Sequence, residues 1–126
     1  MSDSYVPGTC NIGKGEIRRR QLVALIGLAL TFFTLMGMIA TKAAPESRLG
    51  IFIPLAVAAI GFVQSRRKFC LAYGFMGTFN FGKLGELSKV SSRESRMADR
   101  KTAISILAQS LGLAALLTAL VYLLPL

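Results

Sequence analysis

The chain has 126 residues, of which 53% are hydrophobic, and its mean hydropathy is +0.57. A soluble domain of this size would have too little polar surface to cover so much apolar mass, so the composition predicts an integral membrane protein. Histidine, the commonest proton shuttle and metal ligand, is absent, and two cysteines are too few for a zinc or iron–sulfur site within one chain. We therefore predict a non-enzymatic protein with no cofactor or metal, although bound lipids are expected.

The charge is strongly basic, with 15 lysine and arginine residues against 6 aspartate and glutamate residues, which gives +9 at pH 7. In a soluble protein this excess would suggest nucleic acid as a partner. Here the basic residues lie between long uncharged runs, which is typical of membrane proteins whose lysine and arginine residues orient the helices and attract anionic lipids. The predicted partners are the membrane and its anionic lipids, and no nucleic acid.

Three uncharged stretches, at 21–41, 49–65 and 102–126, predict three transmembrane helices. A hydrocarbon core of about 30 Å needs roughly 20 helical residues to cross it. The predicted fold class is an all-α membrane protein with a single domain, in which a helical hairpin is followed by a third, C-terminal helix. Residues 1–20 form an N-terminal segment, and residues 66–101 form a basic loop, rich in aromatics and glycine, that includes the start of the third helix.

The N-terminal segment contains one apparent motif, because the stretch from Gly8 to Lys14 has the spacing of a phosphate-binding loop. Gly15 stands where such a loop needs Ser or Thr for magnesium, and no strand is predicted before it, so we reject this interpretation. Asn11 is a good helix-capping residue, and Glu16 can pair with Arg19 or Arg20 one turn later.

Two prolines mark the second helix. Pro45 suits its first turn, and Pro54, inside the helix, predicts a kink. The following segment, 69–85, mixes aromatic residues with glycines and predicts an irregular loop at the membrane interface. Further on, Ser91 and Glu94 match a capping box, which predicts that the third helix begins near Ser92.

The distribution of basic residues predicts the orientation. The N-terminal segment has four, the first loop two and the second loop nine. Such an excess marks the cytoplasmic side, so we predict a cytoplasmic N-terminus and second loop and an external C-terminus, in a bacterial inner membrane. The residues expected to contact lipid headgroups flank the spans, and they are Arg18, Arg19, Arg20, Arg66, Arg67 and Lys68.

Small residues recur on one face of each predicted helix at spacings of three and four, the pattern through which transmembrane helices approach closely. The predicted interface residues are Gly27, Thr31 and Thr34 in the first helix, Ala58 and Gly61 in the second, and Ser105, Ala108, Gly112, Ala115 and Ala119 in the third. These faces can close on one another or receive helices of another subunit or copy, and the sequence does not choose. Gln109 is predicted to make an interhelical hydrogen bond.

The two cysteines are predicted on the same side of the membrane, close to its surface. Cys10 and Cys70 form a candidate thiol pair, and a cationic neighbour such as Lys68 would favour the thiolate. The functional forms of such a pair are sulfur transfer, redox sensing or metal capture. The alternative is a structural role, because isolated cysteines in a reducing cytoplasm are more often inert.

Two stretches resemble a known membrane-protein family. Asn11-Ile12-Gly13, with Glu16 and the three arginines that follow it, looks like the opening of the YgaP-type inner-membrane domain. Phe69-Cys70-Leu71-Ala72-Tyr73-Gly74, with Gly77-Thr78, is similar to the cysteine–tyrosine–glycine signature after that family's second helix. The resemblance spans residues 10–82. It implies a small, oligomeric helical hairpin that acts as an anchor or partner module.

These features together predict a non-enzymatic accessory or scaffolding subunit of a larger membrane complex, such as an energy-converting complex. The alternative is a thiol-dependent sulfur-relay or membrane-anchor protein that uses Cys10 and Cys70. A channel or transporter would need polar residues along a path, which the predicted spans provide only sparsely.

Overall fold

The computed structural model describes residues 5–82 and 87–125. Within them, three helical segments are long and apolar enough to cross a membrane. These are α1 (Lys14–Ala40), a 3₁₀ helix (Pro45–Ile51) that continues into α2 (Phe52–Arg67), and α4 (Arg93–Leu123). Between α2 and α4 lie a short helix, α3 (Leu71–Met76), and an antiparallel pair of two-residue strands, β1 (Thr78–Phe79) and β2 (Ser88–Lys89).

Helices α1 and α2 form the predicted hairpin. Gly27 of α1 lies against Ala58, whereas Gly61 lies against Ala24, so the two helices run in opposite directions. The backbones touch: a Cβ atom at Gly27 would lie 2.5 Å from the main-chain nitrogen of Ala58. The connection is tight, and Lys42 within it adopts a left-handed conformation with φ of 52°.

Helix α2 is the central helix, because it packs against both α1 and α4. Near the end of the bundle where α1 ends, an apolar cluster joins Ile51, Leu55 and Ala59 to Ala114 of α4. Towards the opposite end, Phe69 is fully buried against Ala103 and Ile106 of α4. α4 therefore follows α2 along most of its length in the antiparallel sense.

The second segment that is long and apolar enough to cross a membrane is longer than the predicted 49–65, because it runs from Pro45 through Arg67 and contains 23 residues. Pro45 begins the 3₁₀ helix, as its fixed φ favours. The helix type changes from 3₁₀ to α at Phe52. Pro54 therefore lies in the first turn of α2, where a missing N–H is readily tolerated, and the irregularity precedes the position where the sequence predicts a kink.

The aromatic and glycine-rich segment is more regular than predicted. Its first part forms α3, which Gly77 ends with a left-handed φ of +73° before the chain turns into β1. Residues 83–86, which include the end of the predicted loop, lie outside the described residues. α4 begins near Ser92 as predicted, but the capping residue is Ser92, whose Oγ accepts from the main-chain nitrogen of Ser95 at 3.3 Å, and not Ser91.

Candidate functional site

The N-terminal segment folds back onto the end of the bundle formed by the α2–α3 connection. The side chain of Asn11 is fully buried and pairs with the main chain of Cys70: its Oδ1 accepts from the Cys70 nitrogen at 2.7 Å, and its Nδ2 donates to the Cys70 oxygen at 3.1 Å. The sequence suggested Asn11 as the cap of α1, but the structure does not place it there. That position is Gly13, which makes no side-chain cap.

A buried carboxylate lies at the start of α1. Glu16 is 1% exposed and accepts hydrogen bonds from Arg20 at 3.3 Å and from the hydroxyl of Tyr73. Arg19 lies 3.8 Å from the same carboxylate, so both of the predicted pairings of Glu16 are confirmed. A buried carboxylate is tolerated only when it is paired and hydrogen-bonded, and Arg20 and Tyr73 meet that requirement.

Arg20 links this carboxylate to a thiol. Its Nη2 lies 2.9 Å from Sγ of Cys70, which is itself buried. The cationic neighbour of Cys70 is thus Arg20 rather than the predicted Lys68. We refer to Glu16, Arg20, Cys70 and Tyr73 as the thiol cluster.

Cys10 lies at the same end of the bundle, as predicted, and is also buried. Its Sγ donates to the carbonyl oxygen of Ile12 at 3.6 Å, whereas Sγ of Cys70 accepts from Arg20. No disulfide joins Cys10 to Cys70.

The surroundings of the Tyr73 phenol change its pKa. Burial, and then the hydrogen bond and negative charge of Glu16, raise the pKa of Tyr73 above its ordinary value. All three causes favour the protonated phenol, which donates to the carboxylate of Glu16. At neutral pH, therefore, the tyrosine of the thiol cluster is neutral.

A second buried carboxylate fastens the N-terminal segment to α4. Asp99 is fully buried, and its two oxygens accept from the hydroxyl of Tyr5 at 2.5 Å and from the main-chain nitrogen of Gly8 at 2.7 Å. Thr102, one turn later, donates to the carbonyl oxygen of Gly8 at 2.6 Å. Burial and the contact with Asp99 also raise the pKa of Tyr5 well above its ordinary value.

The predicted interface residues of the first two helices lie between them. A Cβ atom at Gly61 would lie 2.7 Å from the main-chain nitrogen of Ala24, so this glycine, like Gly27, permits the close approach. Ala58 is buried in the same contact. Thr31 and Thr34 are half-buried, and Thr31 donates to the carbonyl oxygen of Gly27 at 2.7 Å within α1.

The predicted interface of the third helix is not the face that packs within this chain. Helix α4 contacts the rest of the bundle through a different set of buried residues, which are Ala103, Ile106, Ser110, Ala114 and Thr118. Ala108, Gly112, Ala115 and Ala119 are exposed, and Ser105 is half-buried. Gly112 follows Ser110 by two residues, or about 200° around the helix, so the predicted face points to the opposite side.

Gln109 accepts from Nη1 of Arg67 at 3.5 Å, which makes a long interhelical contact of the predicted kind. Its amide nitrogen donates to Ser105 within α4 at 3.3 Å. The amide of Gln64, which the sequence did not single out, is more deeply buried and accepts from the main-chain nitrogen of Leu71 at 2.9 Å. It stabilises the start of α3.

The basic residues predicted to contact headgroups divide into two groups. Arg18, Arg19, Arg66 and Arg67 are exposed, so for them headgroup contact stays a prediction. Arg20 turns inward to Glu16 and Cys70, because the buried carboxylate requires a cation, and its contact with headgroups stays a prediction. Lys68 is half-buried and ends α2 in a left-handed conformation with φ of 54°.

Within residues 5–82 and 87–125, no group of three or more histidine, cysteine, aspartate or glutamate side chains could hold a metal ion. No protein-family model, characterised protein or solved structure matches the chain. The resemblance to the YgaP-type domain therefore stays a prediction.

Proposed function

We propose that this protein is a non-enzymatic accessory or scaffolding subunit of a larger complex in a bacterial inner membrane. Its N-terminus and second loop would be cytoplasmic. The observation that supports this proposal is the exposed small-residue face of α4, which consists of Ala108, Gly112, Ala115 and Ala119. We call it the outer face of α4.

Helices in lipid gain nothing from apolar burial alone, so they associate where small side chains let their backbones approach. Much of the remaining exposed surface of the helices carries large side chains, such as Leu25, Phe33 and Ile53. A Cβ atom at Gly112, by contrast, would have no atom within 4 Å. A flat surface of this kind suits a transmembrane helix of another integral membrane subunit, and self-association is the alternative occupant.

The test is a Gly112→Leu variant of the full chain, recovered from membranes in a mild detergent. A leucine at this position would push the partner helix away and forfeit contact along the whole face. Overpacking typically costs about 1–3 kcal/mol, so we expect the assembly equilibrium to weaken roughly 5- to 150-fold. The measurement is the amount of intact complex in native gel electrophoresis, with mass spectrometry to identify its subunits.

Gly37→Leu is the matched control, because Gly37 is an exposed glycine of α1 with no atom within 4 Å of its Cβ position. Leu113 is less suitable, because it lines an apolar groove of about 210 Å³ between α1, α2 and α4. Equal recovery of the Gly112→Leu and Gly37→Leu complexes would contradict the proposal. A complex that contains only copies of this chain would show that the protein forms a homo-oligomer and is not an accessory subunit.

A second candidate is a thiol-dependent sulfur-relay or membrane-anchor protein, and the contact between Arg20 and Cys70 favours it. The contact places a guanidinium 2.9 Å from Sγ of Cys70, the atom that would act as the nucleophile in sulfur transfer. A Cys10→Ser/Cys70→Ser variant that assembles normally but loses a sulfur-dependent phenotype would support this candidate. An unchanged phenotype with normal assembly would show that both cysteines are structural.

A further inference from the structure

A second site lies away from the thiol cluster, where α3 meets the first turns of α4. It is a cavity of about 410 Å³ whose α3 side is formed by the segment from Gly74 to Gly77. Gly77 makes room for the α4 side, because a Cβ atom there would lie 2.9 Å from Cδ of Arg96. The cavity therefore depends on a glycine that also has the left-handed conformation needed to end α3.

Three guanidinium groups line the α4 side of this cavity. Arg93, Arg96 and Arg100 follow one another at spacings of three and four residues, which places them on one face of the helix. Nη1 of Arg96 donates to the carbonyl oxygens of Val90 and Ser91, both at 2.9 Å, and this holds its side chain in place without neutralising its charge.

The positive charge of this cavity has no acidic partner among the described residues. The salt bridges within 4.0 Å in that part of the chain involve Glu16 alone. Asp99 lies on the same helix as the three arginines, but its oxygens are occupied by Tyr5 and the Gly8 nitrogen. Within the described residues, these three guanidinium groups have no acidic partner, and together around one cavity they favour an anionic ligand.

The rim of the cavity is apolar. Phe75, Met76 and Met97 line it and are 38%, 62% and 53% exposed. A soluble anion such as inorganic phosphate would gain nothing from these side chains. An amphiphile would place its charged group among the arginines and its first methylene groups against the methionines and the phenyl ring.

We propose that this cavity binds the phosphate group of an anionic phospholipid. Arginine presents a planar set of donors that matches phosphate oxygens in bidentate pairs, and Arg93 and Arg100 each supply one such set. Arg96 adds its positive charge and the donors that the Val90 and Ser91 carbonyl oxygens leave free. The cavity lies at the end of the bundle where α1 and α4 begin and α2 ends, close to the headgroup level of a membrane that the three helices cross. This inference adds a lipid site to the proposed assembly role and does not depend on it.

The experiment uses the full-length protein in a neutral detergent, with three probes titrated separately. These are dioctanoyl phosphatidylglycerol, dioctanoyl phosphatidylcholine and inorganic phosphate, and native mass spectrometry counts the bound molecules. We expect phosphatidylglycerol to bind at least about tenfold more tightly than the other two. Phosphatidylcholine carries a compensating positive charge, and inorganic phosphate lacks the apolar part.

The variant that tests the charges is Arg93→Gln/Arg100→Gln, because both side chains are exposed and, among the described residues, make no hydrogen bond that the fold would lose. Loss of two charge-assisted contacts should weaken phosphatidylglycerol binding about tenfold or more. Lys101→Gln is the matched control, since Lys101 is exposed, carries the same charge and adjoins Arg100 without lining the cavity. The affinity of the Lys101→Gln protein for phosphatidylglycerol should remain within about twofold of that of the wild type.

A second variant, Met97→Ser, keeps every charge and tests the apolar rim. It should weaken the binding of phosphatidylglycerol and leave that of inorganic phosphate unchanged. Equal losses for Arg93→Gln/Arg100→Gln and Lys101→Gln would overturn the proposal, because binding would then reflect only net charge. Inorganic phosphate that binds as tightly as phosphatidylglycerol would overturn the assignment to lipid.

Discussion

The guanidinium of Arg48 donates a 2.7 Å hydrogen bond to the main-chain carbonyl oxygen of Leu124, which lies 76 residues further along the chain. The same nitrogen lies 3.1 Å from the Tyr122 oxygen and 3.3 Å from the Val121 oxygen. The last carbonyl groups of a helix have no partner within it, and a cation there also opposes the negative end of the helix dipole. The 3₁₀ helix before α2 thus holds the end of α4.

Arg48→Met should loosen this end of the bundle, because methionine keeps an apolar stem but donates no hydrogen bond. Hydrogen bonds from a charged donor contribute about 1.5–3 kcal/mol, so we expect the free energy of unfolding to fall by about that amount. Hydrogen–deuterium exchange should increase in the last turns of α4. Lys42→Met is the control, since Lys42 is exposed in the same region. Equal exchange in the two variants would contradict the capping role.

Gly27→Ala should destabilise the hairpin of α1 and α2. The added methyl group would overlap the backbone of Ala58, and overpacking of this kind typically costs about 1–3 kcal/mol. Gly37→Ala has open space and should be neutral or stabilising by up to about 1 kcal/mol, because alanine is the better helix former. The stability of each variant is measured by unfolding in mixed micelles with increasing dodecyl sulfate. If the Gly27→Ala and Gly37→Ala proteins were equally stable, α1 and α2 could move apart without loss of stability, and the prediction would be wrong.

Alkaline pH should weaken the contacts of Tyr73 and Tyr5, whose pKa values are both raised in the folded protein. A raised pKa means that the folded state holds the proton more tightly, so the stabilisation is complete below about pH 10 and is lost as the pH rises towards the folded pKa. Phenolate absorbance should therefore appear late in the folded protein. In Tyr73→Phe, part of this late absorbance should disappear. If all phenolate forms near pH 10, the two contacts are weaker than the structure indicates.

The orientation can be tested with single cysteines in a Cys10→Ser/Cys70→Ser background. Ser47 and Ser91 are both exposed. Ser47 lies near the start of the 3₁₀ helix, and Ser91 lies just before α4. We expect an impermeant maleimide added to intact cells to label Ser47→Cys and not Ser91→Cys, because the nine basic residues of the second loop should hold it in the cytoplasm. Labelling of position 91 from outside would show that the predicted orientation is wrong.

The sequence by itself determined the number and order of the long helices, because an uncharged apolar run must reach across about 30 Å of hydrocarbon. It also identified the small residues at which the first two helices touch, although it did not choose between this contact and one with another subunit. Gly27, Ala58 and Gly61 offer those helices small side chains at a spacing that permits backbone contact, and the structure uses them. The pairing of Glu16 with Arg20 could likewise be predicted, since residues four apart are neighbours on a helix.

Contacts between residues far apart in the chain were decided only by the tertiary structure. Asp99 could have been suspected, because it is the last acidic residue of the chain and lies in a basic stretch, but its partner Tyr5 is 94 residues away. From the sequence, Arg48 is one of the two basic residues of the first loop. Which carbonyl groups it would reach depends on where α4 ends in space, and no local pattern contains that information.

The choice of face on α4 was also decided by the tertiary structure. The helix carries two faces with small residues, one around Ser110 and Ala114 and the other around Gly112 and Ala115. In water, the more apolar face would be the buried one, but in lipid both faces are equally well solvated and hydrophobic periodicity cannot distinguish them. The fit against α2 selected the face with Ser110 and Ala114, which left the outer face of α4 exposed.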